Sequence, residues 1–242
     1  MFKNTMVEYQ EILDKKFSNM GLRLNVSNDF EEMDALLQKH SNPGMPSKPN
    51  PMFSPKYNRM TSDRSFWFGL VDNDNEVVCT MAAKKFDHVE DLGAMWRELR
   101  TFYDDETKPV PADRIIVDTK FPVELEGTLS ITGRGWTHPN YRRRGLVRDL
   151  AVLARSECLS RWLVDWHLGT TTAKHISAGR EVSCFGYDPV NNVDRLGFYI
   201  KHVGEEATVH LHLLWMGPDE ISTLAKQEVK RLRAEVNLVA AE

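Results

Sequence analysis

The sequence predicts an α/β domain, and three observations carry the prediction. Strand-like and helix-like runs alternate along the chain instead of segregating into halves. Residues 128–137 alternate like a strand, halt at Pro139, cross a basic loop and, after Gly145, open into a helical pattern. The chain has 242 residues, enough for one large domain with a full core. One domain over residues 1–242 is expected, with residues 1–20 and 218–242 as helical extensions.

Each element has a local reason. Residues 6–20 read as an amphipathic helix and residues 22–26 as a short strand. Ser27, Asn28 and Asp29 suit a cap for a helix at residues 30–39, with Glu31 and Glu32 near its positive end. Residues 41–55, rich in Pro, Ser and Asn, read as a loop. The β-rich runs 65–71 and 77–85 flank Asp72-Asn73-Asp74-Asn75, whose residue types tolerate the positive φ of a tight hairpin turn. A helix over residues 89–102 and an acidic, proline-containing loop follow. From Leu146 to Trp162 the apolar residues recur every three or four positions, marking a helix that packs on a sheet. Residues 165–172 read as a strand and 175–185 as a helix ending at Gly186-Tyr187. Residues 195–201 and 207–216 read as a last pair of strands turning at Gly204-Glu205-Glu206, and residues 219–235 as a polar closing helix.

Composition narrows the function. Hydrophobic residues make up 41% of the chain and charged residues 27%, ordinary values for a globular protein. A net charge of -4 argues against a general nucleic-acid binder, which carries a basic excess. No apolar run approaches the ~20 residues that span a bilayer, and residues 1–20 are too polar for a secretory signal. Cys79, Cys158 and Cys184 are scattered, without metal-like spacing. The expected partners therefore exclude nucleic acid and membrane, and the expected compartment is the cytoplasm.

The richest stretch is Trp136-Thr137-His138-Pro139-Asn140-Tyr141-Arg142-Arg143-Arg144-Gly145-Leu146-Val147-Arg148. Backbone N–H groups at a helix start have no intrahelical partner, the helix dipole is positive there, and arginines add fixed charge. An anion such as a phosphate belongs at this loop. A solvated basic turn is the plain alternative, but its place between a strand and a glycine-started helix favours phosphate.

Arg142-x-x-Gly145-x-Val147 resembles the Arg/Gln-x-x-Gly-x-Gly/Ala signature of the GNAT superfamily of N-acetyltransferases, and His138-Pro139-Asn140-Tyr141 is similar to its usual lead-in. The match covers roughly residues 129–162 and is loose elsewhere. It implies a GNAT-like α/β fold: a mixed, mostly antiparallel central sheet flanked by helices, with a C-terminal strand pair and a terminal helix. It also implies acetyl-CoA (acetyl-coenzyme A) as co-substrate without a metal. The carried-over cofactor residues are Trp136, Thr137, Arg142, Arg143, Arg144, Gly145, Leu146, Val147 and Arg148. Val147 replaces the usual Gly or Ala, and its side chain is expected to narrow the phosphate cradle. Family members carry a bulge in the strand before the loop, splaying it from the next strand and opening a slot for the pantetheine arm. Gly133 and Gly135 lie in that strand, where glycine suits a bulge or a close backbone approach.

Acyl transfer to an amine needs a group that takes a proton from an ammonium of pKa ~10.4. Glu124 and Glu126 share a strand face just upstream of the loop. Glu126 is the first candidate base, ahead of His138 and His167; a solvent-facing sheet edge explains the glutamates equally well. The family's usual tyrosine acid would fall at Val182 or Val193, neither a tyrosine, so Tyr187 is the candidate acid and Cys184 a nearby alternative. Phe66-Trp67-Phe68, Phe53 and Tyr57 read as core more readily than as a pocket. Tyr103-Asp104-Asp105-Glu106 reads as a solvated loop that a cationic amine could meet.

The leading function is an N-acetyltransferase that passes an acetyl group to an amine by direct attack in a ternary complex. The acceptor would be a small molecule or a peptide, and a homodimer is compatible with the sequence. The main alternative is a catalytically degenerate acyl-coenzyme A-binding sensor or interaction module. A synthase acylating an amino-acid-derived metabolite is a third option.

Overall fold

The computed structural model describes residues 2–39, 51–112, 114–118, 125–188, 190–194, 197–204 and 208–239. The first helix, α1 (Phe2–Asn19), buries Met6, Tyr9, Leu13 and Phe17, the three- and four-residue spacing of one helix face. Strand β1 (Arg23–Ser27) leads into α2 (Phe30–Lys39), whose start is capped by Asp29: its Oδ1 accepts from the Glu32 N–H at 2.9 Å. A 3-10 turn, Pro51–Phe53, precedes β2 (Ser65–Val71), which pairs with β3 (Val77–Val89). Asp72 Oδ1 accepts from the N–H groups of Asp74 and Glu76, and Asn75 adopts φ 61°, the turn the sequence called for.

Strand β3 runs to Val89, so the helix expected at residues 89–102 shrinks to α3 (Leu92–Arg97), capped by Asp91. A four-residue strand, β4 (Ile115–Asp118), lies in what reads from sequence as loop. Then come β5 (Gly127–Thr137), α4 (Leu146–Trp162) and β6 (Trp166–Thr172). The helix expected at residues 175–185 is broken in two, α5 (Ala173–Ser177) and α6 (Arg180–Ser183), because Gly179 takes φ 63° between them. Strands β7 (Phe198–His202) and β8 (Val209–Met216) and helix α7 (Pro218–Val239) complete the chain.

The eight strands form one sheet in the order β1-β2-β3-β5-β6-β8-β7-β4. Every pair is antiparallel except β5 with β6, which run parallel on either side of the α4 crossover. The observed architecture is the expected one: a mixed, mostly antiparallel sheet with a C-terminal strand pair and a terminal helix. Helices α1, α4 and α7 cover one face, where Leu13, Phe17, Leu150, Ala154 and Leu232 are buried. On the other face Phe30, Phe53, Trp67, Trp96 and Phe102 form a second core. Among the described residues, no helix is long and apolar enough to cross a membrane.

Candidate active site: a fork in the sheet and a basic loop

Strands β5 and β6 pair only from Leu129 opposite Trp166 to Thr132 opposite Gly169. Beyond that point β6 continues beside β8 as far as Thr172, while β5 continues beside β3 as far as Thr137. The sheet therefore forks. The cause is a bulge in β5: Trp136 faces Thr80 and Gly133 faces Ala82, so Arg134 and Gly135 together oppose Met81. Arg134 takes φ 54° there, and the Thr80 hydroxyl donates to its carbonyl at 2.8 Å. Gly133 is required by packing, since a Cβ at this position would come within 2.5 Å of the Phe53 ring.

The limb of the fork made by β5 ends in the basic loop. His138 begins a 3-10 turn, Pro139–Tyr141, with its ring accepting from the Asn140 N–H. The Tyr141 hydroxyl donates to Asp72 at 3.1 Å and pins the loop to the β2-β3 turn. Gly145 is the N-cap of α4 at φ 76°, and no side chain caps the helix. The N–H groups of Leu146, Val147 and Arg148 thus lack an intrahelical partner. Arg142 donates to the Thr137 carbonyl and Arg144 to the Asn140 carbonyl, with the Arg144 guanidinium 5.0 Å from the Tyr141 ring centre. Arg143, exposed at φ 66°, has no partner among the described residues. None of these three arginines pairs with a carboxylate there, so their charge faces outward. Arg148 differs: its guanidinium grips Glu228 at 2.6 Å and donates to the carbonyls of Val182 and Ser183, binding α7 and α6 to α4. Val147, in the first turn of α4, is half-buried and packs against the core.

Tyr187 comes to the fork by way of Gly186, which takes φ 70°. Its hydroxyl lies so close over Gly169, the last β6 residue paired with β5, that a Cβ there would be 3.0 Å away. Burial raises the Tyr187 pKa, opposed by the adjacent Arg155 guanidinium, which lies 4.7 Å from the ring centre. Arg155 is itself buried and donates to the carbonyls of Ala151 and Phe185. His167 sits beneath the fork, hydrogen-bonded by both ring nitrogens to the hydroxyls of Ser130 and Thr132. Burial holds its pKa well below the usual imidazole range. Cys184 caps α6 and is half-buried, Val182 is exposed, and Val193 bridges to Leu214.

The first candidate base, Glu126, does not reach the fork. Glu126 is exposed just before β5, six positions ahead of Thr132. At roughly 3.3 Å per strand residue that is ~20 Å from the fork. Glu124 lies outside the described residues. The carboxylate that does approach is Asp34 of α2, invisible to motif reasoning because a hundred residues separate it from β5. Its Oδ1 accepts from Arg134 of the bulge at 2.6 Å. Burial raises the Asp34 pKa, and Arg134 opposes the shift. Asp34 lines a cleft of about 750 Å³ on the face opposite α4, together with Glu31, Gln38, Tyr57, Tyr103, Lys108 and His202.

The aromatic residues divide as packing dictates. Phe66, Trp67, Phe68 and Phe53 are core, while Tyr57 reaches the cleft. The acidic loop is not simply solvated: Asp104 pairs with buried Lys84 at 3.2 Å and with Arg64 at 3.3 Å. Lys84 also donates to Asn58 Oδ1 at 2.6 Å and the Met52 carbonyl at 3.3 Å, and Asn58 reaches the Phe102 carbonyl. This buried hub fastens together the two segments that wall the cleft. Among the described residues, no cluster of three or more His, Cys, Asp or Glu is placed to hold a metal ion.

No protein-family model and no curated protein sequence matches the chain. Its similarity is to solved structures. Arabidopsis thaliana NAA60 in complex with acetyl-CoA is 16% identical over 81% of this chain and 99% of that one, with a TM-score of 0.47. A GNAT superfamily phosphinothricin acetyltransferase from Sinorhizobium meliloti is 11% identical over 81% and 89%, TM-score 0.45. The spermidine/spermine N-acetyltransferase SpeG from Vibrio cholerae is 9% identical over 85% and 99%, also at 0.45.

Proposed function

We propose that the chain is an acetyl-coenzyme A-dependent N-acetyltransferase of GNAT type. The single observation that carries this reading is the juxtaposition of the forked β5-β6 pair with the uncapped start of α4. The fork offers an open strand edge for an amide-bearing arm, and the helix start offers N–H groups and unpaired arginines for a diphosphate. Residues Trp136 and Thr137, the run from Arg142 to Val147, and the N–H of Arg148 would hold the coenzyme. When bound, acetyl-coenzyme A would supply a thioester carbonyl that an amine can attack. The cleft across the sheet would admit a small-molecule or peptide amine. Tyr187, whose pKa burial raises, would donate its proton to the departing thiolate and recover one from the nitrogen of the attacking amine. The Asp34–Arg134 pair marks the cleft's contact with the fork.

The sensor reading draws support from one feature, the distance of Glu126 from the fork. A single experiment separates the two readings: free thiol released from acetyl-coenzyme A is followed with a panel of amines for wild type and Tyr187→Phe. The enzyme reading expects amine-dependent release in wild type and a turnover loss of about 100-fold in the variant, with coenzyme affinity unchanged. Binding without release for any amine would favour the sensor.

A further inference from the structure

Lys16, on the N-terminal helix and far from any motif, meets the basic loop in space. A Cβ built on Gly145 would lie 3.8 Å from its Nζ. The Lys16 side chain is 15% exposed, and its ammonium donates to Asp149 in the first turn of α4 at 2.8 Å, with Glu235 of α7 at 3.5 Å. Asp149 is fully buried and is held from its other side by Arg231 at 3.0 Å. Burial raises its pKa, and both cations oppose the shift. Two cations therefore serve one buried carboxylate. Arg231 is also tied to Glu228 at 2.7 Å and to Glu235. Lys16 is the member of this network that borders the cap residue, on a flexible stem that can reorient its three donors.

We propose that Lys16 is a phosphate ligand of the coenzyme site, supplied to the α4 loop by α1. The inference rests on the acetyl-coenzyme A reading above. A diphosphate at the uncapped N–H groups would draw the ammonium by direct charge, while Arg231 keeps Asp149 neutralised. Docking of α1 and occupancy of the loop would then be coupled.

The test is calorimetric titration of coenzyme A and of pantetheine, which lacks the phosphates, into wild type, Lys16→Arg, Lys16→Met and Lys16→Met/Asp149→Asn. The double variant removes both charges, so that no buried carboxylate is left underpaired and the protein stays folded. A direct contact predicts coenzyme A binding weakened roughly tenfold in both Met variants, the scale of one charge-assisted hydrogen bond. Lys16→Arg should keep most of the affinity, and pantetheine should bind all four alike. If the double variant recovers wild-type affinity, Lys16 acts only by masking Asp149, and the proposal is overturned. If wild type binds no coenzyme A at all, the acetyltransferase reading fails instead.

Discussion

Gly145→Glu is expected to reduce coenzyme A binding by more than 100-fold while the chain stays folded. Gly145 sits at φ 76°, and a side chain in that region costs about 1–2 kcal/mol. The Cβ itself has room, since the Lys16 ammonium at 3.8 Å is its nearest neighbour. At this size ~1–2 kcal/mol lowers the melting temperature by only a few degrees. The damage to binding is of another kind. A carboxylate would stand at the positive end of α4, take Lys16 as its own partner and repel a diphosphate approaching the N–H groups of Leu146 and Val147. Titration with coenzyme A beside a melting curve checks both halves. A folded variant with normal affinity would place the coenzyme somewhere other than this loop.

Lys84→Met is expected to be the most destabilising of the substitutions considered, by about 3–5 kcal/mol. Lys84 is wholly buried, and its loss leaves Asp104, Asn58 and the Met52 carbonyl short of a donor. Arg64 still pairs with Asp104, which places the expectation toward the lower end of that range. The pH dependence gives a second signature. Burial lowers the Lys84 pKa from its ordinary 10.5 to about 8, with Asp104 opposing the shift. Between those two pH values the unfolded chain binds more protons at this residue than the folded one. The contribution of Lys84 to stability therefore rises with pH across that window. Denaturant melts of wild type should show this rise, and Lys84→Met should flatten it. A variant less than 1 kcal/mol below wild type would mean that the hub is dispensable.

Local signals in the sequence were stronger for the elements around the basic loop than for the framework that holds them. The strand, basic loop and helix from residue 128 to residue 162 were legible because alternation, a proline, a glycine and a helical period follow one another without a gap. The cap at Asp29 and the turn at Asp72 were legible for the same reason. Strand β4 was not: four residues at a sheet edge carry too short an alternation, and its partner β7 lies some eighty residues downstream. The break at Gly179 hid within an otherwise helical run. In the candidate site, sequence spacing could not say where β5 leaves β6, and that point decides which side chains meet. It leaves Glu126 remote and brings Tyr187 over Gly169 from outside the expected motif positions. Lys16, Asp34 and Lys84 act through contacts across distant parts of the chain, and only the folded sheet reveals them.

The fork and the start of α4 are proposed to form one coenzyme site. The most direct test is calorimetric titration of wild-type protein with acetyl-coenzyme A at low ionic strength. The predicted result is saturable binding at one site per chain, weakened by salt because phosphate contacts dominate it. No binding up to millimolar ligand would contradict the claim.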